Sequence, residues 1–499
     1  MTNDDKQIGK SLAEILAVRR EKVEKIREMG FEPFAYEFAK THSNPEIIRD
    51  YETLKESITV RIAGRIMAIR RMGRASFCHI QDEKTKLQLY FQEDKIGTAN
   101  YALFKLLDIG DIIGASGIVT KTRTGEITIF AEALQLLAKS IRPIPIVKEK
   151  DGEVFDAFSN KEQRYRQRYL DLIVNPEIKD TFIMRSKIIQ WCRDFLNERG
   201  FLEVETPTLQ PIYGGASARP FKTFYNALDR EFYLRIADEL YLKRLIIGGF
   251  EKVYEIAKNF RNEGIDRNHN PEFTALEYYQ QYVDYNFLMD EVETFFKFIA
   301  GKIGRSSFDF AGSIIDFSKP FQRKRMFDLL QEHVGTDIYG MSATNLREFC
   351  IGKGLAVDKS VGYGKMIELL FDHFVEDKLI QPTFVTDYPK AVSPLAKMSR
   401  DGRQDIVERF ELYVAGQEFA NAFSELNDPF DQRERLESQN RLREAGDDEA
   451  QTMDEDFVTA MEYGMPPTGG VGIGIDRLVM LFTNQRYIKD VILFPQLRS

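Results

Sequence analysis

The apolar stretch FELYVAGQEFANAFSELND, residues 410–428, is interrupted by Glu411, Glu418, Asn421 and Glu425. A carboxylate among apolar strand residues is costly unless it meets a cation or hydrogen-bond donors. The chemistry to find is therefore that of the cations. With a turn at Ala415-Gly416, Val414 pairs with Gln417 and Tyr413 with Glu418. Glu411 then lies diagonally across from Glu418 on one face. Two carboxylates so placed repel unless a cation lies between them, and magnesium bridging nucleotide phosphates would serve. Asn421, Phe423 and Glu425 have the other parity. They reach the same cleft only through a bulge near residues 419–421.

Two further segments carry chemistry. In FEKVYEIAKNFRNEGIDRNHNPEFTALEYYQQY, residues 250–282, two β-rich runs flank a polar loop from Gly264 to Asn270, which reads as a long hairpin. Arg261 ends the first run, and its fork-shaped guanidinium suits a phosphate. Glu263, His269 and Phe273 lie on or near the loop; a histidine can reach outer phosphates and a phenylalanine can cover a purine. In GGVGIGIDRLVMLFT, residues 469–483, a glycine-rich strand enters a helix near Asp476. The dinucleotide spacing G-x-G-x-x-G is absent. Gly470, Gly472 and Gly474 leave open space above the strand, and Arg477 projects from the helix start, where anions are favoured.

These residues need elements to hold them. Residues 11–30 predict one helix, with Ser11 and Glu14 as capping box and Gly30 as stop. Its basic residues Arg19, Arg20, Lys22, Lys25 and Arg27 form either a solvated face or an RNA-backbone contact. Residues 58–138 change to short alternating runs with turns at Gly73, the DEKT stretch and Thr124-Gly125, which predicts a five-stranded β-barrel with LFKLLDIG as a helical piece. Leu87, Leu89 and Phe91 point inward; Phe77 and Gln88 share the outer surface. That pairing fits either a face that stacks and reads unpaired bases, as in OB-folds, or a Phe covered by another domain. Prolines in IRPIPIVKEKDG mark a linker. Beyond it, helices and strands mix without strict βαβ alternation, which predicts an antiparallel α+β domain. The expected organisation is a helical extension at 1–50, the barrel at 51–145, a linker at 146–160 and the second domain at 161–499, with a mainly helical insertion at 321–380 that carries no chemical cluster.

Composition narrows the class. The 499 residues carry a net charge of −9, which argues against a general nucleic-acid coat. The charge is uneven, +4 over residues 1–150 and −13 beyond, so a mildly basic front precedes an acidic body. Cys78, Cys192 and Cys350 form no CxxC pair, so neither a zinc site nor a disulfide framework is expected, and a reducing cytoplasm is the simplest setting. The polar start MTNDDKQIGK has no apolar signal core, and no run approaches a membrane-spanning length.

Taken together, the three chemical segments resemble motifs 2 and 3, and the strand before motif 3, of class II aminoacyl-tRNA synthetases. DFLNERGFLEVETPTL, residues 194–209, resembles motif 1, which in that family builds a two-fold dimer interface. RYRQRYLDLI, GGASARPF, ELYLKRL, FRNEG, NHNPEFT, FSELND and GIGIDRLVMLFTN are similar to signatures of the bacterial lysine-specific group. The resemblance runs from GRASFCHIQD to DVILFP. It implies a multidomain α/β chain, an N-terminal OB-fold barrel for the anticodon and a class II α+β catalytic domain on an antiparallel sheet. It further implies activation of L-lysine by ATP with Mg2+, transfer to tRNA(Lys), a cytoplasmic homodimer, and no membrane or DNA partner.

The same resemblance implies residue roles. Arg261 and Arg477 would bind the α- and γ-phosphates of ATP, with Glu263, His269, Asn270 and Phe273 holding the nucleotide. Glu411 and Glu418 would bind magnesium. Gly215 and Glu239 would hold the lysine α-ammonium; Glu277, Tyr279, Asn421 and Phe423 would line the side-chain pocket, and Glu425 would meet the ε-ammonium. Phe77, Gln88 and Glu126 would read the anticodon together with an arginine, either Arg70 or Arg71. A related ligase that modifies elongation factor P lacks the barrel, so barrel content separates the two.

Overall fold

The computed structural model describes residues 11–145, 148–150, 153–155, 158–358, 361–444 and 450–498. The chain divides into two compact units, Met1–Lys179 and Asp180–Ser499. Within the expected linker at 146–160, residues 148–150 and 153–155 pair as a short antiparallel hairpin, and residues 146–147, 151–152 and 156–157 lie outside the described residues.

In the first unit, Ser11 and Glu14 form the reciprocal capping box that starts helix α1, Leu12–Glu28, and Gly30 turns the chain at φ +80°. One expectation for α1 is corrected. The pattern puts Arg19 on the polar face, yet it is only 3% exposed and donates to the backbone oxygens of Ile109, Ser140 and Arg142. Lys22 pairs with Asp108 at 2.6 Å. Two of the five basic residues therefore anchor the helix to the barrel. The five strands β1 (Thr59–Met72), β2 (Ala75–Asp82), β3 (Thr85–Gln92), β4 (Ile112–Lys121) and β5 (Ile127–Ala138) close in the order β1-β2-β3-β5-β4. The period-two pattern works as read: Cys78, Ile80, Leu87, Leu89 and Phe91 fill the core. Helix α2, Thr98–Leu106, adds Tyr101, Leu103 and Phe104, and ends short of Asp108-Ile109-Gly110.

The second unit is built on eight strands: β6 (Leu202–Glu203), β7 (Lys252–Phe260), β8 (Glu272–Gln281), β9 (Gln322–Arg325), β10 (Thr383–Pro389), β11 (Ile406–Val414), β12 (Gln417–Ser424) and β13 (Thr468–Gly474). Their order is β9-β10-β11-β12-β13-β8-β7-β6. The six central strands run antiparallel, but each edge pair, β9 with β10 and β6 with β7, is parallel. The sheet is therefore mixed, and the unit is α+β. Neither edge was legible: β6 has two residues, and β9 is QRKR, exposed throughout and without alternation. Because β9 joins this sheet, the segment 321–380 is continuous with the main fold. Helices α3 (Lys179–Asn197) and α5 (Tyr285–Ile303) pack Phe195, Phe295 and Phe296 into a core shared with β11, β12 and β13. Between them in sequence lies α4, Glu239–Ile247; two later helices, α6 (Tyr363–Phe374) and α7 (Ile475–Thr483), border the site.

Candidate active site

The hairpin turns at Ala415-Gly416, with both residues at positive φ, and Val414 pairs with Gln417 and Tyr413 with Glu418. The register then slips: Leu412 faces Ala420, so Phe419 is the extra residue of a bulge. That bulge rotates the rest of β12. Glu411 now faces Asn421, Asn421 faces Gly472, and Gly472 faces Glu277, in one row across four strands. The next row runs Arg409, Phe423, Gly470, Tyr279. Residues distant in sequence thus share one face because strand neighbours two apart point the same way.

The glycines of β13 make the floor, and one expectation about them is corrected. The space over Gly470 is not open: a β-carbon there would lie 2.1 Å from Glu425 Oε1 and 2.4 Å from the Tyr279 ring. Gly472 and Gly474 have only ordinary contacts at that position. Gly215, at φ +87°, lies against Glu239; a β-carbon would sit 3.1 Å from those of Glu239 and Ala237.

The acids of this face meet protein cations that the sequence reading did not supply. Glu411 accepts from Arg409 Nη2 at 2.5 Å, Tyr413 OH at 2.6 Å and Tyr388 OH at 2.9 Å. Arg409 also donates to Asn421 Oδ1 at 3.1 Å. Glu418 receives Arg477 Nη1 on its backbone oxygen at 2.6 Å and on Oε2 at 3.2 Å. Glu425 contacts the ammonium of Lys243, which also donates to Glu239 at 2.5 Å. Burial pushes the Glu425 carboxyl well above the usual range against the pull of Lys243. Burial also raises Glu277, and there its neighbours Asp238 and Glu239 add to the rise. Tyr279 OH donates to Glu277 at 3.2 Å.

The phosphate-side residues come together around the β7–β8 loop. Arg261 follows β7, donates weakly to Ile236 O at 3.4 Å, and lies over the Phe273 ring at 5.1 Å. His269 is fixed at Nδ1 by Asp266 at 2.8 Å and presents Nε2 to Arg477 at 3.4 Å. Asp476 accepts from Arg185 at 2.6 Å and from the Thr274 amide at 2.7 Å, which seats the start of α7 and aims Arg477. Asn270 is buried, with its amide bound to Glu272 O and its oxygen receiving the Gln496 amide, so its side chain shapes the loop. Glu263 projects from this loop as an exposed side chain.

Segment 321–380 was expected to carry no chemical cluster, and this too is corrected. The hairpin turn is held by Ile380 O and Leu379 O, which accept from Ala415 and Gly416. Glu368 and Asp372 of α6, and Glu376 just after it, add an acidic rim whose field reaches Arg409, Glu418 and Arg477. Burial, then Glu368, pushes Asp372 up to about 6; burial, then Asp372, pushes Glu376 up to about 7. Both bind protons more tightly folded than unfolded. Their stabilisation is therefore complete below the unfolded carboxylate range near pH ~4 and is lost as pH rises through about 6 to 7. Glu376→Gln should flatten the fall in melting temperature between mildly acidic and mildly alkaline pH. A variant whose melting curve keeps the wild-type pH slope would contradict the assignment.

In the barrel, Phe77, Tyr90 and Phe130 form an aromatic run with centroids 4.7 and 5.0 Å apart. Gln88 donates to Glu126 at 2.7 Å and accepts from Thr128 at 2.8 Å, while His79 lies 2.9 Å from Glu126. Gln88 is thus outward-facing but covered. A bulge between Ile66 and Ala68 sets Arg70 opposite Phe77, on the same face; Arg71 lies opposite Ser76 and donates to Leu107 O.

The glycine-floored mixed sheet carries Arg261 and Arg477 on separate elements and follows a five-stranded barrel in the chain. Residues 160–498 match the model of "tRNA synthetases class II (D, K and N)", and residues 60–137 match that of the "OB-fold nucleic acid binding domain". The chain belongs to the class II tRNA synthetases. Within that family it is similar to curated lysine–tRNA ligases. It is 51% identical over 490 residues to that of Carboxydothermus hydrogenoformans, spanning 98% of both chains. It is 50% identical over 491 residues to that of Pelotomaculum thermopropionicum, spanning 98% of this chain and 95% of the relative. The Porphyromonas gingivalis relative is 50% identical over 497 residues, with 98% of this chain and 86% of the relative spanned. Among the described residues no helix is long and apolar enough to cross a membrane.

Proposed function

We propose that this protein activates L-lysine with ATP, releasing pyrophosphate, and transfers the lysyl group to the 3′ end of tRNA(Lys). The observation that carries the reading is Glu425: a buried carboxylate seated over a glycine floor, beside Tyr279 and joined to Glu239 through Lys243. A site built around a fixed negative charge rejects an acidic amino acid, since two buried like charges face each other.

The lysine carboxylate attacks the α-phosphate in line, with no protein nucleophile. Arg261 takes the charge that develops there, and Arg477 and His269 hold the outer phosphates. Phe273 covers the adenine, with Glu263 and Asn270 fixing the loop around it. Gly215 and Glu239 receive the α-ammonium; Glu277, Tyr279, Asn421 and Phe423 enclose the aliphatic stem. Glu411 and Glu418 suit magnesium by donor type, two carboxylates to be completed by phosphate oxygens. Mg2+ bound with the nucleotide would neutralise phosphate charge; Arg409, Tyr388 and Tyr413 hold the Glu411 carboxylate in place for it.

The barrel face of Phe77, Gln88, Glu126 and Arg70 reads the anticodon. A second copy of the chain covers the exposed apolar side chains Ile183, Leu202, Leu209 and Ile212, giving a two-fold dimer. The protein works in the cytoplasm, without a DNA or membrane partner. The deciding experiment is amino-acid-dependent exchange of pyrophosphate into ATP across all standard amino acids. Lysine alone should support it; exchange driven by another amino acid, or none, overturns the reading.

Phe77→Ala tests the barrel separately. Base–aromatic stacking is worth roughly 1–3 kcal/mol, so charging of tRNA(Lys) should weaken about 5- to 150-fold while lysine-dependent exchange stays near wild type. Normal charging, or a joint loss of exchange, would place Phe77 in a structural role.

A further inference from the structure

Lys243 is an unusual residue for its position. It lies on α4, four residues after Glu239, a spacing that on an exposed helix gives an ordinary surface pair. Here it is fully buried, where lysine is seldom found unless paired. Its ammonium joins two elements: it donates to Glu239 Oε1 of α4 and contacts Glu425 Oε2 beyond the end of β12, with the Phe423 ring 5.4 Å away. These are the two carboxylates that the proposed function assigns to the two ammonium groups of the substrate, and the inference rests on that reading.

We propose that Lys243 is a positioning residue for the amino-acid pocket: its ammonium holds Glu239 and Glu425 together as charged acceptors before substrate arrives, and so sets the preference for a cationic side chain over a neutral one.

The surroundings require such an ion. Asp238 and Glu239 approach from α4, Glu277 and Tyr279 from β8, Glu425 from the end of β12, and Arg409 from β11. Arg235 lies 3.9 Å from Asp238 and is itself bound to Glu255 at 2.6 Å. Four buried carboxyls cannot all stay ionised on that allowance. Lys243 acts on Glu239 and Glu425, whereas Glu277 has only Tyr279 and the Asp238 amide to stabilise its charge. Burial raises Glu277 and Glu425 alike, and at Glu425 the Lys243 ammonium opposes that rise. Removing Lys243 would favour the neutral form of Glu425. A neutral Glu425 offers an ammonium and a hydroxyl nearly the same hydrogen bond, so selectivity would fall with affinity. A buried ion triplet is also a poor choice for stability alone, since apolar side chains of similar size often do as well.

The test is Lys243→Met in the full-length protein, followed by lysine-dependent pyrophosphate exchange across pH, with 6-hydroxynorleucine as the neutral competitor. The KM for lysine at neutral pH should rise by about tenfold or more, the size expected for a lost buried charge contact. The acid limb of kcat/KM for lysine should move to higher pH. The margin by which lysine outcompetes 6-hydroxynorleucine should shrink by a similar factor, and the KM for ATP should stay unchanged. Lys243→Arg, which keeps the charge, should retain the wild-type acid limb even where its bulk raises KM, and it serves if the Met variant does not fold. An unmoved acid limb with unmoved selectivity in the Met variant, a lowered KM for lysine, or an Arg variant whose limb moves overturns the inference. Glu425→Gln measured alongside separates the two readings. Unchanged lysine use there overturns the pocket assignment and the inference with it. A raised KM in Glu425→Gln beside a wild-type Lys243→Met overturns the inference alone.

Discussion

Glu425→Gln should lower kcat/KM for lysine in pyrophosphate exchange by roughly 100- to 4000-fold, the consequence of breaking a buried ion pair worth about 3–5 kcal/mol. The substitution keeps the shape of the side chain, so it isolates charge. Glu425 is 1% exposed, and its amide donates to Thr468 O at 2.8 Å, which fixes where the carboxylate lies. Its Oε1 occupies the space that the missing side chain of Gly470 leaves. A glutamine there still fills that space, but it gives the incoming ammonium only a dipole and leaves Lys243 with Glu239 alone. The loss should fall on lysine and not on ATP, because the nucleotide residues Arg261, His269 and Arg477 stand on other segments. An unchanged KM for lysine would remove Glu425 from the pocket.

That prediction began as an oddity in the sequence. Three carboxylates stood in a strand pair otherwise apolar, and conflicts between local pattern and burial tend to mark sites. The parity argument demanded a bulge near residues 419–421, and the structure places its extra residue at Phe419. The barrel was legible for a similar reason: alternation, clearest along β1, sorted inside from outside, although bulges interrupt the β1–β2 and β4–β5 pairings. The cations were not legible. Arg409 stands two residues before Glu411, where an alternating strand often carries a polar residue. Lys243 stands four residues after Glu239, where a helix often carries a solvated pair. Nothing in either spacing says that both lie inside. Arg19 failed for the same reason in reverse, since a basic run reads as surface until the backbone oxygens it must cap are known. The rim of Asp372 and Glu376 depended on a contact between the hairpin turn and residues 379–380, a tertiary fact with no local signature.

Arg261→Met should reduce the rate of lysine-dependent exchange by roughly 100- to 1000-fold, the usual cost of removing one preorganised donor from a developing oxyanion. The structure separates Arg261 from the other arginines of the site. Arg409 pairs with Glu411 at 2.5 Å, and Arg477 reaches Glu418 at 3.2 Å. Among the described residues no carboxylate forms an ion pair with Arg261; it makes a long bond to Ile236 O and lies over Phe273. Its charge is not spent within the fold, so it is available to a phosphate. Its backbone is tied down by the bond from its amide to Pro271 O at 2.9 Å, so the guanidinium starts from a fixed point beside the ring proposed to cover adenine. Light packing also means that the fold should tolerate the change, with a stability effect within about 0.5 kcal/mol. Arg261→Lys should recover only part of the rate, because an ammonium keeps the charge and loses the planar fork. Turnover slowed to that extent with an unaltered melting temperature is the expected pair of results. Exchange within a few-fold of wild type in Arg261→Met would take the α-phosphate role away from this residue.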